Sequence, residues 1–283
     1  MFQKKIREKK WDFFSSFNMK GSIPYPYVMR KAKDLSKARP IISYFNHPLK
    51  KSLWISATAF MSCLKALPSD IKSSNIFATN EMLPIIRQQF STLSQVFGED
   101  TEFISYAGDI KEMYTHLPQN VIIEAVKWIL GIVQSRSRRT EVSVNLQSSK
   151  LNRLGKSYSY DRSFVCVSFQ QLFMICLCEI QKCFFILSGV TFLQIFGIPI
   201  GSLGSPGYCM AICIFYEWKF HQSLYDYQKL FGMGRYFDDV RALVVYKRGS
   251  SSSKSIATNI INALAGECYH QSMVLIPEEV SQG

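Results

Sequence analysis

Three aspartates occupy places where a carboxylate is costly unless a cation meets it. Asp109 closes the apolar run from Glu102 to Ile110, and Asp238 and Asp239 stand together between two apolar runs within Gly234–Tyr246. Carboxylates gathered at strand ends attract hard divalent cations, and Mg2+ takes carboxylates together with phosphate oxygens. Two such ions side by side can activate a hydroxyl nucleophile and stabilise a leaving phosphate group. Taken singly, each residue also reads as an ordinary turn or capping aspartate, because Asp favours turns.

The surrounding pattern sets out the elements that must position them. Residues 1–20 are basic and aromatic and read as a helix or an arm. Two β-rich runs follow, Tyr27–Met29 and Pro40–Phe45, and the polar piece Arg30–Arg39 between them turns a basic hairpin bearing Lys31, Lys33, Lys37 and Arg39. Residues 50–67 and 81–97 carry apolar side chains at helical spacing. After the strand 102–110, Pro118 opens a helix from about Asn120 to Val133, with Val121, Ile122, Ala125, Ile129 and Ile132 on its apolar face.

Ser135–Tyr160 is basic and Ser-rich, with Arg136, Arg138, Arg139, Lys150, Arg153 and Lys156, and is expected to be a surface excursion. Phe164–Cys183 is expected to be a buried helix, and Phe184–Gln194 a hairpin turning at Ser188-Gly189. Gly197–Pro206 reads as a loop, Gly207–Leu224 as an apolar helix, and Gly234–Tyr246 as strand–turn–strand with Asp238-Asp239 at the turn. Ser250–Ser253 reads as a flexible link, Ile256–Cys268 as a helix and Gln271–Ile276 as a last strand. From Glu102 onward the order β-α-(insertion)-α-β-β-α-β is a split βαβ arrangement, which brings a strand-end acid and a hairpin acid pair onto one sheet.

Composition narrows the partners. The chain has 283 residues, 47% of them apolar, enough for one large domain or two modest ones with a sizeable core. A net charge of +12 favours a polyanion, either nucleic acid or an acidic membrane surface. The eight cysteines form no C-x-x-C pair, most stand in apolar runs, and a reducing compartment suits them. The basic segment Met1–Lys10 precedes no apolar signal core, so an intracellular protein is expected, nuclear in a eukaryote. Cys183–Tyr216 is uncharged and long enough to span a bilayer, but its cluster of Gly and Pro argues against stable membrane association.

Four words then stand in order. Tyr236-Phe237-Asp238-Asp239 matches the Y-x-D-D box of reverse transcriptases, and Asp109-Ile110-Lys111-Glu112-Met113-Tyr114 resembles that family's first catalytic motif. Gln194-Ile195-Phe196-Gly197-Ile198-Pro199-Ile200-Gly201-Ser202, continuing through Ser205-Pro206, resembles its Gly-rich motif. Lys37-Ala38-Arg39-Pro40-Ile41-Ile42-Ser43 resembles its fingers motif. The resemblance covers about residues 25–280, and the nearest look is to Penelope-like elements and telomerase-type enzymes, through Gln194 and the basic Arg235 before the acid pair. Two positions depart from the pattern: Phe196 stands where a polar residue is common, and Cys268–Glu279 lacks the expected lysine, with His270 a weak substitute.

The resemblance implies an α+β chain, the fingers and palm of a right-hand polymerase with a split βαβ palm sheet. Its parts would be an N-terminal arm and fingers (1–100), palm with the first motif (101–134), a basic insertion and fingers/palm helix (135–195), and palm again (196–283). Asp109, Asp238 and Asp239 would be catalytic. They and the Ile110 carbonyl would hold two Mg2+ ions, or Mn2+ in their place. Arg39, Lys37, Ile110, Tyr114 and Gln194 would meet the incoming dNTP, with Tyr114 excluding a 2′-hydroxyl. Gly197, Pro199, Gly201 and Ser202 would meet template and primer. The implied activity is RNA-directed DNA synthesis from a primer 3′-hydroxyl, with an RNA template and a DNA or RNA primer as partners and a retroelement as source. The chain reads as a core without its thumb, which would follow Gly283 and be supplied by a longer chain or a partner. The competing expectations are an RNA-dependent RNA polymerase and an incomplete enzyme that only binds nucleic acid.

Overall fold

The protein, seen here as a computed structural model, is described over residues 17–31, 34–72, 74–111, 113–156 and 163–282. The arm up to residue 16, Lys33, Glu112 and part of the basic stretch (157–162) lie outside the described residues.

In chain order the elements begin with β1 (Tyr25–Lys31), β2 (Asp34–Ser43), α1 (Lys50–Lys65), α2 (Ser69–Lys72), α3 (Thr79–Ser94) and β3 (Thr101–Lys111). Next come α4 (Gln119–Ser137), β4 (Glu141–Asn145), β5 (Arg153–Leu154), β6 (Phe164–Ser168), α5 (Phe169–Gln181), β7 (Phe184–Leu187) and β8 (Val190–Leu193). The last are α6 (Ser205–Ser223), β9 (Phe231–Tyr236), β10 (Asp239–Lys247), α7 (Ser251–Glu267) and β11 (Val274–Gln282). This mixed helix-and-sheet chain divides into two units, Met1–Leu67 with Leu117–Ala211, and Pro68–His116 with Ile212–Gly283.

In the first unit, α1, α4 and α5 pack on one another, and α1 also covers the three-stranded sheet β5-β4-β6. α1 buries Ile55, Cys63 and Leu64, and of the apolar face expected for α4 Val121, Ile122, Ala125 and Ile129 are buried while Ile132 is half-exposed. Two expectations are corrected here. The basic stretch 135–160 is not simply a surface excursion, because β4 lies within it and is buried on both faces. Its polar side chains tolerate burial through local bonds: Ser143 Oγ donates to the Gly155 carbonyl at 2.7 Å, and Asn145 Oδ1 accepts from the amides of Gln147 and Ser148.

The apolar run 164–183 is likewise not one helix. Its first five residues pair with β4 as β6, and the helix starts only after Ser168. Ser168 and Gln171 form a capping box, each side chain satisfying the other's backbone amide. β7 and β8 form the expected hairpin, turning through Ser188 and Gly189, both at positive φ.

In the second unit, four strands form an antiparallel sheet in the order β11-β3-β10-β9. α3 packs on β9 and β10, and α7 on β10, β11 and β3. Burial on β3 alternates, with Ile104, Tyr106 and Ile110 inward, which places Asp109 on the opposite, more open face. The Ser-rich link is corrected too: Ser250 caps α7 by accepting from the Ser253 amide, so the serines form the helix's first turn. The last strand starts at Val274 rather than Gln271 and runs to Gln282. Among the described residues no helix is long and apolar enough to cross a membrane.

Candidate active site

The two acid words meet at one end of the second unit's sheet. β3 and β10 pair so that Asp239 stands directly across from Asp109, which puts both carboxylates on one face of the sheet. Tyr236 and Asp239 close a two-residue hairpin whose loop is Phe237 and Asp238. The turn therefore lies one residue earlier than the sequence suggested, and Asp239 is the first residue of β10. Phe237 has φ +53°, an uncommon conformation for a residue with a Cβ. The Ile110 amide donates to the Asp238 carbonyl at 2.8 Å, tying the turn to the strand that carries Asp109.

Lys111, two residues beyond Asp109, donates its ammonium to the Asp109 carboxylate. That bond and the charges of Asp109, Glu278 and Asp238 hold the Lys111 pKa above its ordinary value. The strand ends therefore carry a negative field whose nearest counter-ion is a half-exposed lysine. Among the described residues no three His, Cys, Asp or Glu side chains converge as a finished metal site. The donor set is nevertheless the hard, all-oxygen kind that suits Mg2+ rather than a softer ion. Tyr114 is half-buried in the turn that follows β3, not on a helix.

The remaining sequence candidates belong to the first unit. Lys37 and Arg39 are exposed on β2, and Arg39 lies across from Met29 of β1. The Gly-rich loop joins this strand directly, since the Ile42 amide donates to the Ile200 carbonyl at 2.8 Å. Gly201 has φ +108°, and a Cβ there would lie 2.3 Å from the Ile42 carbonyl oxygen, so only glycine allows this approach. Gly197 also has positive φ and donates its amide to Leu117, while Pro199 is buried and accepts from Ser205 Oγ at 2.6 Å. Gln194 is half-buried and donates to the Phe196 carbonyl at 2.7 Å. Ser202 is buried with its hydroxyl given to Glu179.

Glu179 and the Arg235–Glu217 pair escaped the sequence reading. Glu179, on α5, also accepts from Tyr208 Oη at 2.5 Å and so fastens the Gly-rich loop to two helices. Burial pushes its carboxyl above the usual range, against hydrogen bonds from Ser202, Tyr208 and the Gly204 amide. In the second unit Glu217 and Arg235 form a buried ion pair next to the Phe237-Asp238 turn, where Arg235 Nη1 donates to the Phe237 carbonyl. In both cases the available signal was an acid isolated in an apolar helical run, which cannot be buried without partners.

The raised Glu179 pKa gives a pH prediction. The folded state holds the proton more tightly than the unfolded chain, so this contribution is full below the ordinary glutamate range and lost as pH rises through the raised value. The melting temperature of wild type, relative to Glu179→Gln, should therefore fall as pH climbs from about 4 to about 8. A difference that stays constant over that range would show that Glu179 titrates normally.

No protein-family model matches the chain, and no curated protein matches it. Solved structures do. Telomerase from Candida tropicalis, in complex with the TWJ fragment of telomeric RNA, matches with a TM-score of 0.68 at 14% identity, over 98% of this chain and 44% of that one. The apo telomerase of Candida tropicalis gives 0.60 at 16% identity, over 97% and 48%. An RNA polymerase complex inside a double-stranded RNA virus gives 0.52 at 11% identity, over 97% and 22%. This chain thus spans less than half the length of each, and at such identities the likeness is one of fold. What it shares with the telomerase and viral polymerase chains is the fold of a nucleic-acid polymerase.

Proposed function

We propose that this chain is the fingers-and-palm core of an RNA-directed DNA polymerase, which extends a primer 3′-hydroxyl with dNTPs along an RNA template. The observation that carries the reading is the register pairing of Asp109 with Asp239, beside a two-residue turn bearing Asp238. The sheet order β11-β3-β10-β9 is the one a split βαβ palm requires, and it supports the reading. The RNA bound by the Candida tropicalis telomerase supports a nucleic-acid partner, as does the net charge of +12.

Asp109 and Asp238 are the residues that would hold divalent ions, with the Ile110 carbonyl beside them and Asp239 in support. When bound, a pair of Mg2+ or Mn2+ ions supplies activation of the 3′-hydroxyl and neutralisation of the departing pyrophosphate. Arg39 offers a fork of donors that suits triphosphate oxygens, with Lys37 as a second cation. Gly197, Pro199, Gly201 and Ser202 would form the loop that meets template and primer, with Gly201 its exposed member and Gln194 at its entry. Tyr114 closes off the sugar edge and disfavours a 2′-hydroxyl.

The test is primer extension on an RNA template with Mg2+, supplying dNTPs or rNTPs. Wild type should prefer dNTPs, and Tyr114→Ala should shrink that preference by about 10- to 100-fold, the worth of a steric contact in a small pocket. A wild-type preference for rNTPs would favour an RNA polymerase, whose fold the viral chain shares. Salt-sensitive RNA binding without extension would favour a binding protein.

A further inference from the structure

Next to the turn that carries Asp238, the second unit buries a full ion pair. Arg235 is 1% exposed and Glu217 4%, and the Arg235 Nε donates to Glu217 Oε1. Burying both charges costs several kcal/mol before their attraction returns it. An apolar pair would fill the same space, so their presence calls for a specific use of the guanidinium.

Its geometry supplies one. Arg235 Nη1 donates at 2.9 Å to the carbonyl of Phe237, the residue held at φ +53°. Nη2 donates at 2.6 Å to Asn75 Oδ1. The Arg235 backbone is fixed as well, its amide donating to Ser74 and its carbonyl accepting from the Ile76 amide, as a parallel bridge to the segment around Asn75. Glu217 is itself held from the side, accepting from Ser74 Oγ at 2.7 Å and Tyr269 Oη at 2.8 Å. Each nitrogen of the fork is thereby aimed, and one arm ends on the strained residue of the turn.

We propose that Arg235 is a positioning residue that locks the Phe237-Asp238 turn into one conformation, with Glu217 and Asn75 as its clamp. The consequence for catalysis rests on the polymerase reading above; the consequence for the turn does not. A positively charged but unforked side chain can keep the pair with Glu217, yet it cannot reach Phe237 and Asn75 together. Non-Gly residues at positive φ persist only where the surroundings over-determine them, so losing the Phe237 bond frees the turn.

The experiment compares full-length wild type with Arg235→Lys, the double variant Arg235→Met/Glu217→Met, and Tyr269→Phe. Amide hydrogen exchange across Tyr236–Asp239 should rise about tenfold in Arg235→Lys and in the double variant, while the rest of β9 and β10 stays protected. Tyr269→Phe removes one Glu217 bond without touching Phe237, and should leave exchange at the turn unchanged. In primer extension, Arg235→Lys should lower kcat by about 10- to 100-fold with KM for dNTP within about twofold, as expected when ground-state binding is intact. Unchanged exchange at the turn in Arg235→Lys overturns the proposal, as does an equal rise in Tyr269→Phe. Faster exchange with unchanged kcat overturns the catalytic half. Wild type that extends no primer sinks the polymerase reading instead, and the exchange measurement still decides whether Arg235 locks the turn.

Discussion

Asp109→Asn should slow nucleotide addition at least about a thousandfold, roughly 4 kcal/mol on the barrier, while the protein melts at nearly the wild-type temperature. The two halves of that expectation come from different facts. Asparagine keeps the size and one oxygen of aspartate but loses the charge that would hold a divalent ion. The Asp109 side chain is 17% exposed on the open face of β3, so the amide is not left in a dry core. Its present partner, Lys111, is half-exposed and can turn to water or to the remaining carboxylates. Asp238→Asn should behave alike, and Asp239→Asn should lose less, in keeping with a supporting role. Single-turnover primer extension over a Mg2+ titration reads the effect. A near-wild-type rate in Asp109→Asn would remove the carboxylate cluster from the chemistry.

The elements bearing that cluster were legible because their patterns are strong. The apolar run before Asp109 and the two runs flanking Tyr236–Asp239 are β-like over their whole length, and each became a strand of the β11-β3-β10-β9 sheet. The hairpin boundary was off by one residue because pairing Tyr236 with Asp239 leaves room for only Phe237 and Asp238 in the loop. β4 was hidden for another reason. Its Glu-Val-Ser-Val-Asn run is short and mostly polar, and its burial depends on the Ser143 bond to Gly155 and on pairing with β6, which lie 12 or more residues along the chain. The break between β6 and α5 was present in the sequence as Ser168-x-x-Gln171, a capping box lost inside a uniformly apolar run.

The site was legible as words and illegible as a network. The Asp109 and Asp238-Asp239 motifs pointed to one end of a sheet, and Asp109 and Asp239 do face each other across it. The residues that brace the turn and the Gly-rich loop are contacts between distant segments: Arg235 with Asn75, Glu217 with Ser74 and Tyr269, Ser202 with Glu179. Sequence spacing carries no trace of such pairings. It does show that Glu179 and Glu217 stand among apolar helical neighbours, and an acid there must be met by donors drawn from elsewhere in the fold.

Glu217→Ala puts the largest stability loss at one of those acids, about 3 to 5 kcal/mol for removing one partner of a buried pair. Four contacts go at once: two from the Arg235 guanidinium, one from Ser74 Oγ and one from Tyr269 Oη. The Arg235 guanidinium then stays buried without a countercharge, and the missing side chain leaves a void at its centre. In a chain of this size the loss corresponds to a fall in melting temperature of about 10 °C. Replacing both partners, as in Arg235→Met/Glu217→Met, should recover most of it, because an apolar pair carries no desolvation penalty. Thermal unfolding of the single and double variants separates these effects. A loss below about 1 kcal/mol in Glu217→Ala would mean that water reaches Arg235 and that the pair is worth no more than a surface one. Full recovery of stability in the double variant, with the Tyr236–Asp239 amides exchanging freely, would show that the ion pair is kept for the shape of the turn, since stability alone does not require it.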